Sequence, residues 1–135
     1  MHRLLIVLAL ILASALPARA DPAAVRDVIT AQIDAFERDA FDEAFEYASP
    51  VIQHMFRTPE RFGMMVMQGY PMVWRPEGYR FGLAEDRGNG RITQYVSFDD
   101  RAGRSYLAEY DMIEMEDGRW LINGVRLLPD TAVGA

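Results

Sequence analysis

The hydrophobic pattern of this chain changes its period once, near Gly69, and that change constrains the fold more than any other feature. Upstream, apolar residues recur at helical spacing; downstream they alternate with polar ones, the period of a half-buried strand. A chain that is helical first and stranded second is α+β, because alternating βαβ units would interleave the two patterns.

The helical half carries its own punctuation. Asp21-Pro22 pairs a capping carboxylate with a proline that has no N–H to lose in the first turn. Val25, Val28, Ile29, Gln32, Ile33 and Phe36 then form one stripe, with Arg26, Asp27, Asp34, Glu37 and Arg38 on the other side. A second short helix is expected with Phe41, Ala44, Phe45 and Ala48 on one face, and Ser49-Pro50 caps a further turn through Val51, Ile52, Met55 and Phe56. Thr58-Pro59 repeats the signal and opens a third helix to about Gln68, with Gly69 as its C-terminal stop. With Phe62, Met64, Met65, Val66 and Met67, this last helix is apolar nearly all round.

In the second half, Tyr79–Asp86 and Arg91–Phe98 flank Arg87-Gly88-Asn89-Gly90, whose Asn-Gly pair is a strong hairpin signal. Strands at Arg104–Met115 and Arg119–Leu128 follow turns at 99–103 and 116–118, and a short strand is expected at Met72–Arg75. Consecutive hairpins make an antiparallel meander with one apolar face, and the amphipathic helices are the material available to cover it.

The N-terminus sets the address. After Met1-His2-Arg3 comes an apolar run, then Ala18-Arg19-Ala20, a small-residue cleavage pattern. From Leu4 to Leu16 is thirteen residues, against roughly 20 for a helix that spans a bilayer. The reading is a cleavable signal peptide over 1–20 and a single domain over 21–135, ordered over about 22–129, in a periplasmic or secreted protein. No cysteine is present, so neither disulfides nor thiolate zinc enter the argument. All 14 basic residues are arginine, against 20 acids; Arg3 and Arg19 leave with the leader, taking the formal charge from −6 to −8. An acidic domain without an arginine cluster in its sequence repels nucleic acid and, once the leader is gone, anionic membranes.

The segments Ala44-Phe45-Glu46-Tyr47-Ala48-Ser49-Pro50, Thr58-Pro59-Glu60-Arg61-Phe62 and Tyr70-Pro71-Met72-Val73-Trp74-Arg75-Pro76 resemble the bacterial family called domain of unknown function 4864. The ending Asp117-Gly118-Arg119-Trp120-Leu121-Ile122-Asn123-Gly124-Val125 is similar to its C-terminal strand. The likeness runs from about Val25 to Leu128 and implies no catalytic residues. More loosely, helices followed by a meander with a Gly-x-Trp strand resemble the nuclear-transport-factor-2-like superfamily. That resemblance implies a cone: a curved antiparallel sheet wrapping a helix, with a pocket at the open end. Its members include isomerases, dehydratases and noncatalytic binding modules, so fold alone chooses no function.

Few residues carry chemistry. His54 is the single histidine after the leader, so a multi-histidine metal site is excluded, and the acids lack calcium-loop spacing. Glu109 and Asp111 alternate on one strand and face one side with Leu107 and Ile113, while Tyr106, Ala108, Tyr110 and Met112 face the helices. Within a closed pocket the two carboxylates would have raised pKa values and serve proton transfer; on an open face they are an ordinary solvated pair. Tyr70, Trp74, Tyr79, Tyr95 and Trp120 are candidates to line an apolar pocket with polar tips. Arg87-Gly88-Asn89-Gly90-Arg91 lacks the following helix a phosphate loop requires, and no Gly-x-Ser-x-Gly elbow occurs.

The expectation is an exported, noncatalytic binding module with a small apolar ligand, no cofactor, and a homodimeric state suggested by the methionine-rich third helix. The alternative is a cofactor-free isomerase- or dehydratase-type enzyme using Asp111 or Glu109 with His54 or a tyrosine. Geometry discriminates: convergence of these groups in a closed pocket favours the enzyme, and scatter favours the module.

Overall fold

The computed structural model describes residues 21–129, so the expected leader and cleavage site lie outside the described residues. Asp21 accepts hydrogen bonds from the Ala23 and Ala24 N–H groups at 3.0 and 3.3 Å, and α1 (Pro22–Glu37) starts there. Val25, Ile29, Ile33 and Phe36 are buried along one face. Each such burial contributes about 1.5–3 kcal/mol, well beyond the few tenths by which helix propensities differ, so packing rather than propensity holds this helix. Asp39 takes a left-handed φ of 53°, a conformation that aspartate tolerates. There the chain turns into α2 (Phe41–Glu46), with the Ala40 N–H donating to the Ala35 carbonyl at 2.9 Å.

Ser49 and Thr58 cap α3 (Pro50–Phe56) and α4 (Pro59–Gly69) through side-chain oxygens that accept from Ile52 N–H and Arg61 N–H. A single turn, α5 (Pro71–Trp74), completes the helical half. Here two expectations are corrected. The segment expected as a strand at Met72–Arg75 is mostly this helical turn, because Pro71 offers no N–H to a ladder and Val73 and Trp74 both donate to the Tyr70 carbonyl (2.9 and 3.0 Å). Helix therefore extends past residue 69. Gly69 does not adopt a positive φ and is the last residue of α4; Pro71 ends the helix by holding Tyr70 out of the helical region, at φ −136° and ψ 54°.

Four strands follow: β1 (Gly78–Gly88), β2 (Arg91–Asp99), β3 (Ser105–Glu114) and β4 (Trp120–Leu127), in one antiparallel sheet of order β1-β2-β3-β4. Asn89 and Gly90 both have positive φ, as a two-residue type I′ hairpin loop requires. Ile92, Gln94, Val96 and Phe98 of β2, Ala108, Tyr110 and Met112 of β3, and Trp120 and Ile122 of β4 are buried. Tyr95, Ser97, Leu107, Glu109 and Asp111 alternate with them and are more open to solvent. The sheet is interrupted at Phe81/Ala84 and Asp86/Gly88 on β1 and opposite Asp111/Met112 on β4, and such bulges bend strands and increase their twist. Gln94 serves the first of these: its Nε2 donates to the carbonyls of Gly82 and Leu83 at 3.1 and 3.3 Å. Its Oε1 and the hydroxyl of Tyr110, its cross-strand partner, are buried with no hydrogen-bond partner among the described residues.

One backbone contact locks the helical half to the sheet, and one ring cluster locks the helices to each other. Residues 47–49 run beside β4 as a parallel bridge, with Ile122 N–H donating to Tyr47 O (2.9 Å) and Ser49 N–H to Ile122 O (2.8 Å). Around α4, the Phe62 ring meets Phe36, Phe45 and Phe56 at centroid distances of 5.8, 5.4 and 5.8 Å. The third expected helix is less uniformly apolar in its setting than in its composition. Phe62, Gly63 and Val66 are buried, Met65 and Met67 are half-buried, and Met64 is exposed.

Candidate ligand cavity

Between the helices and β4 lies an open-mouthed cavity of about 200 Å³. Its walls come from every helix-bearing segment except α2: Gln32 and Phe36 of α1, Ile52, Met55 and Phe56 of α3, and Phe62, Met65 and Val66 of α4 contribute. Tyr70, Val73, Ala48 and the β4 residues Ile122, Gly124 and Val125 close it. Phe62, Val66, Val73 and Ile122 are buried, whereas Met55 is 63% exposed and Ile52, Phe56 and Tyr70 are half-buried. The cavity thus has a rigid aromatic and aliphatic floor beneath a softer rim that includes a methionine, a side chain that adapts to irregular shapes.

Gln32 and Tyr70 are the polar side chains among the described lining residues, which include no acid, arginine or histidine. Gln32 follows the buried stripe of α1, and its Nε2 donates to the Ala44 carbonyl at 3.1 Å. Its Oε1 accepts no hydrogen bond among the described residues. The Tyr70 hydroxyl donates to Val125 O at 3.3 Å and keeps its lone pairs. Both positions therefore offer acceptors, and the rest of the surface offers dispersion contacts. An engineered apolar cavity of about 150 Å³ takes benzene, so this volume suits a molecule of one ring or a short chain.

Of the aromatics anticipated from sequence, Tyr70 lines the cavity and the others go elsewhere. Trp120 is buried on the inner sheet face without lining the cavity. Tyr79 packs against Phe81 and Phe98. Tyr95 lies on the opposite sheet face, its Cβ 3.6 Å from where a side chain on Gly82 would begin. Trp74 donates from its indole N–H to Asp39 Oδ1 at 2.9 Å and lies under the Arg75 guanidinium, 4.4 Å from the ring centroid. That hydrogen bond, with the one from Arg75, holds the Asp39 carboxyl below its ordinary pKa.

The acid–base candidates do not converge. Glu109 pairs with Arg126, whose guanidinium pKa is raised by that hydrogen bond. Asp111 accepts from Arg91 at 2.6 Å and from Asn123 Nδ2 at 3.1 Å. Both lie on the sheet face away from the helices, and His54 is exposed on α3. Residues the sequence reading did not single out as a site, chiefly Gln32, Ile52, Phe56 and Phe62, build most of the cavity. Gln32 alone left a trace, as a polar residue in phase with a buried stripe.

The whole described domain falls within the match to one family model: over residues 18–135 the chain belongs to the family described as Domain of unknown function (DUF4864). No curated protein and no solved structure matches the chain.

Proposed function

We propose that this is an exported binding module whose cavity takes a small, neutral, largely apolar molecule carrying one hydrogen-bond donor. The observation that carries the reading is the composition of the lining: apolar side chains with two acceptors, from Gln32 and Tyr70, and no ionisable group except a phenol. A carboxylate or ammonium ligand would be desolvated there without a counter-charge, at a cost of several kcal/mol. Proton-transfer chemistry would need a base within hydrogen-bond reach of the bound molecule, and Glu109, Asp111 and His54 lie outside the lining. Helices packed on a bent antiparallel sheet, with a cavity between them and β4, support kinship with the nuclear-transport-factor-2-like cone, and that kinship is part of the proposal.

Indole, a neutral ring with one N–H, is the probe. It should saturably shift the methyl resonances of Met55 and Met65 at the rim while leaving Met112, buried under the sheet, unmoved. Ile52→Trp, which fills the mouth, should abolish the shifts. Gln32→Leu should weaken indole about tenfold, the worth of one good hydrogen bond, yet change the binding of benzene little. Absence of rim shifts up to about millimolar indole sinks the proposal.

Self-association belongs to the same reading. Val51, Met55 and Met64 stand exposed on α3 and α4, and a two-fold contact is the commonest way to cover such residues. Light scattering should report a dimer that Met64→Glu dissociates. A monomer at all concentrations removes this part and leaves the cavity reading intact.

A further inference from the structure

While Val73 of α5 faces the cavity, Pro71, Met72 and Trp74 of the same turn line a separate cleft of about 540 Å³. Its other wall is the β2–β3 loop, with Asp100, Arg101, Ala102 and Arg104, and Tyr106 at the start of β3. Arg75 completes it, so three arginines and one carboxylate meet there in a chain whose net charge is −6.

The carboxylate is already fully engaged. Asp100 Oδ1 accepts from the backbone N–H groups of Ala102 and Arg104, both at 2.9 Å. Its Oδ2 accepts from Arg104 Nε at 3.2 Å and the Tyr106 hydroxyl at 3.1 Å. The backbone bond from Arg104 leads in holding its pKa below the ordinary range. Asp39, outside the cleft, likewise fixes Trp74 and Arg75, accepting from the indole N–H and from Arg75 Nη2 at 2.9 Å each. Asp100 and Asp39 are thus used as scaffolding.

The donors are not. Arg101 is 83% exposed, and its nearest carboxylate oxygen, on Glu77, lies 3.9 Å from Nε, beyond hydrogen-bond range. Arg104 and Arg75 each spend part of a five-donor guanidinium on one carboxylate. A recess with spare N–H donors, satisfied acceptors and a floor of Pro71, Met72 and Trp74 is complementary to an oxyanion attached to an apolar body.

We propose that this cleft is a second binding site, for a small organic oxyanion, a phosphate monoester or a carboxylate, whose apolar portion rests on Trp74 and Met72 while Arg101 and Arg104 hold the anionic head. It is independent of the cavity: its ligand is charged, its readout is the Trp74 indole N–H, and the failure of either site leaves the other standing.

Phenyl phosphate, phthalate and inorganic phosphate are titrated against the protein by NMR at low salt. Phenyl phosphate or phthalate should saturably shift the Trp74 indole N–H, and the tighter of the two identifies the head group. Inorganic phosphate should bind at least about tenfold more weakly, lacking the apolar body. Arg101→Gln and Arg104→Gln should each lower affinity about tenfold, one charge-assisted hydrogen bond lost. Arg57→Gln, at an exposed arginine outside the cleft, should leave it unchanged. Arg101 makes no hydrogen bond to another described residue, so its replacement leaves the fold intact and keeps the test valid. No saturable shift with either organic anion, or an equal loss in Arg57→Gln, overturns the proposal; inorganic phosphate binding as tightly as phenyl phosphate overturns the apolar subsite.

Discussion

Ser49 and Asn123, 74 positions apart, are joined by a 2.8 Å hydrogen bond from the serine hydroxyl to the asparagine Oδ1. The same hydroxyl accepts the Ile52 N–H that starts α3, and Asn123 Nδ2 reaches on to Asp111, which Arg91 holds from β2. One chain of polar contacts therefore ties a helix cap to three strands at the place where β4 bulges. Ser49 is almost fully buried, whereas the Arg91–Asp111 pair is about 40% exposed. Burial, not charge, decides which link matters. Ser49→Ala should cost about 1–2 kcal/mol by losing the cap and leaving Asn123 short of a donor. Asp111→Asn should cost less than about 1 kcal/mol. Urea denaturation of both variants checks the order; a larger loss for Asp111→Asn contradicts it.

Gly63 lies in the middle of α4, where alanine would ordinarily stabilise a helix by about 1 kcal/mol. Here a Cβ would come within 2.5 Å of the Phe41 ring, which packs α2 against α4. The clash involves the body of the ring rather than a flexible tip, so overpacking of about 1–3 kcal/mol outweighs the propensity gain. Gly63→Ala should lower Tm. The double variant Gly63→Ala with Phe41→Leu should lose less than the two single changes predict together.

Asp39 and Asp100 have carboxyl pKa values lowered by the hydrogen bonds that fix Trp74, Arg75, Arg104 and Tyr106. A depressed folded-state pKa contributes stability that is present above the unfolded value, about 3.9, and is lost as pH falls through the folded one. Stability should therefore be level from neutral pH to about 5 as far as these groups are concerned, then decline below about 4. Asp100→Asn should flatten part of that decline, and denaturant midpoints taken between pH 7 and 2 would reveal whether it does.

The sheet was legible in the sequence because its signals are local. Asn89-Gly90 supplies the positive φ pair, and strict alternation along Tyr106–Ile113 separates the face that meets the helices from the one that carries Glu109 and Asp111. The caps of α1, α3 and α4 were legible for the same reason, each written as a polar residue followed by proline. The turn α5 was not, since four residues are too few to establish a period and Met72-Val73-Trp74 fits a strand as well. The cavity was illegible for a deeper reason. Ile52, Phe62 and Val66 each look like ordinary core, and a void among them arises from the spacing of separate elements. Trp74 was recognisable as an amphipathic aromatic, but its destination depends on Asp39, 35 positions earlier.

The parallel bridge from residues 47–49 to β4 bears on how this protein behaves in a crowded compartment. An open sheet presents two margins, and an unpaired margin is a template on which other chains aggregate. At β4, Tyr47 O and Ser49 N–H already occupy Ile122, and α3 follows immediately. At β1 the defence is irregularity: the register breaks between Phe81 and Ala84 and again between Asp86 and Gly88, with Arg80, Asp86 and Arg87 exposed along the strand. A neighbouring chain that began to pair there would meet a misaligned ladder and buried charge within a few residues. One margin is thus capped by the fold's own backbone and the other is made inhospitable, which keeps a four-stranded sheet from recruiting a fifth strand from another molecule.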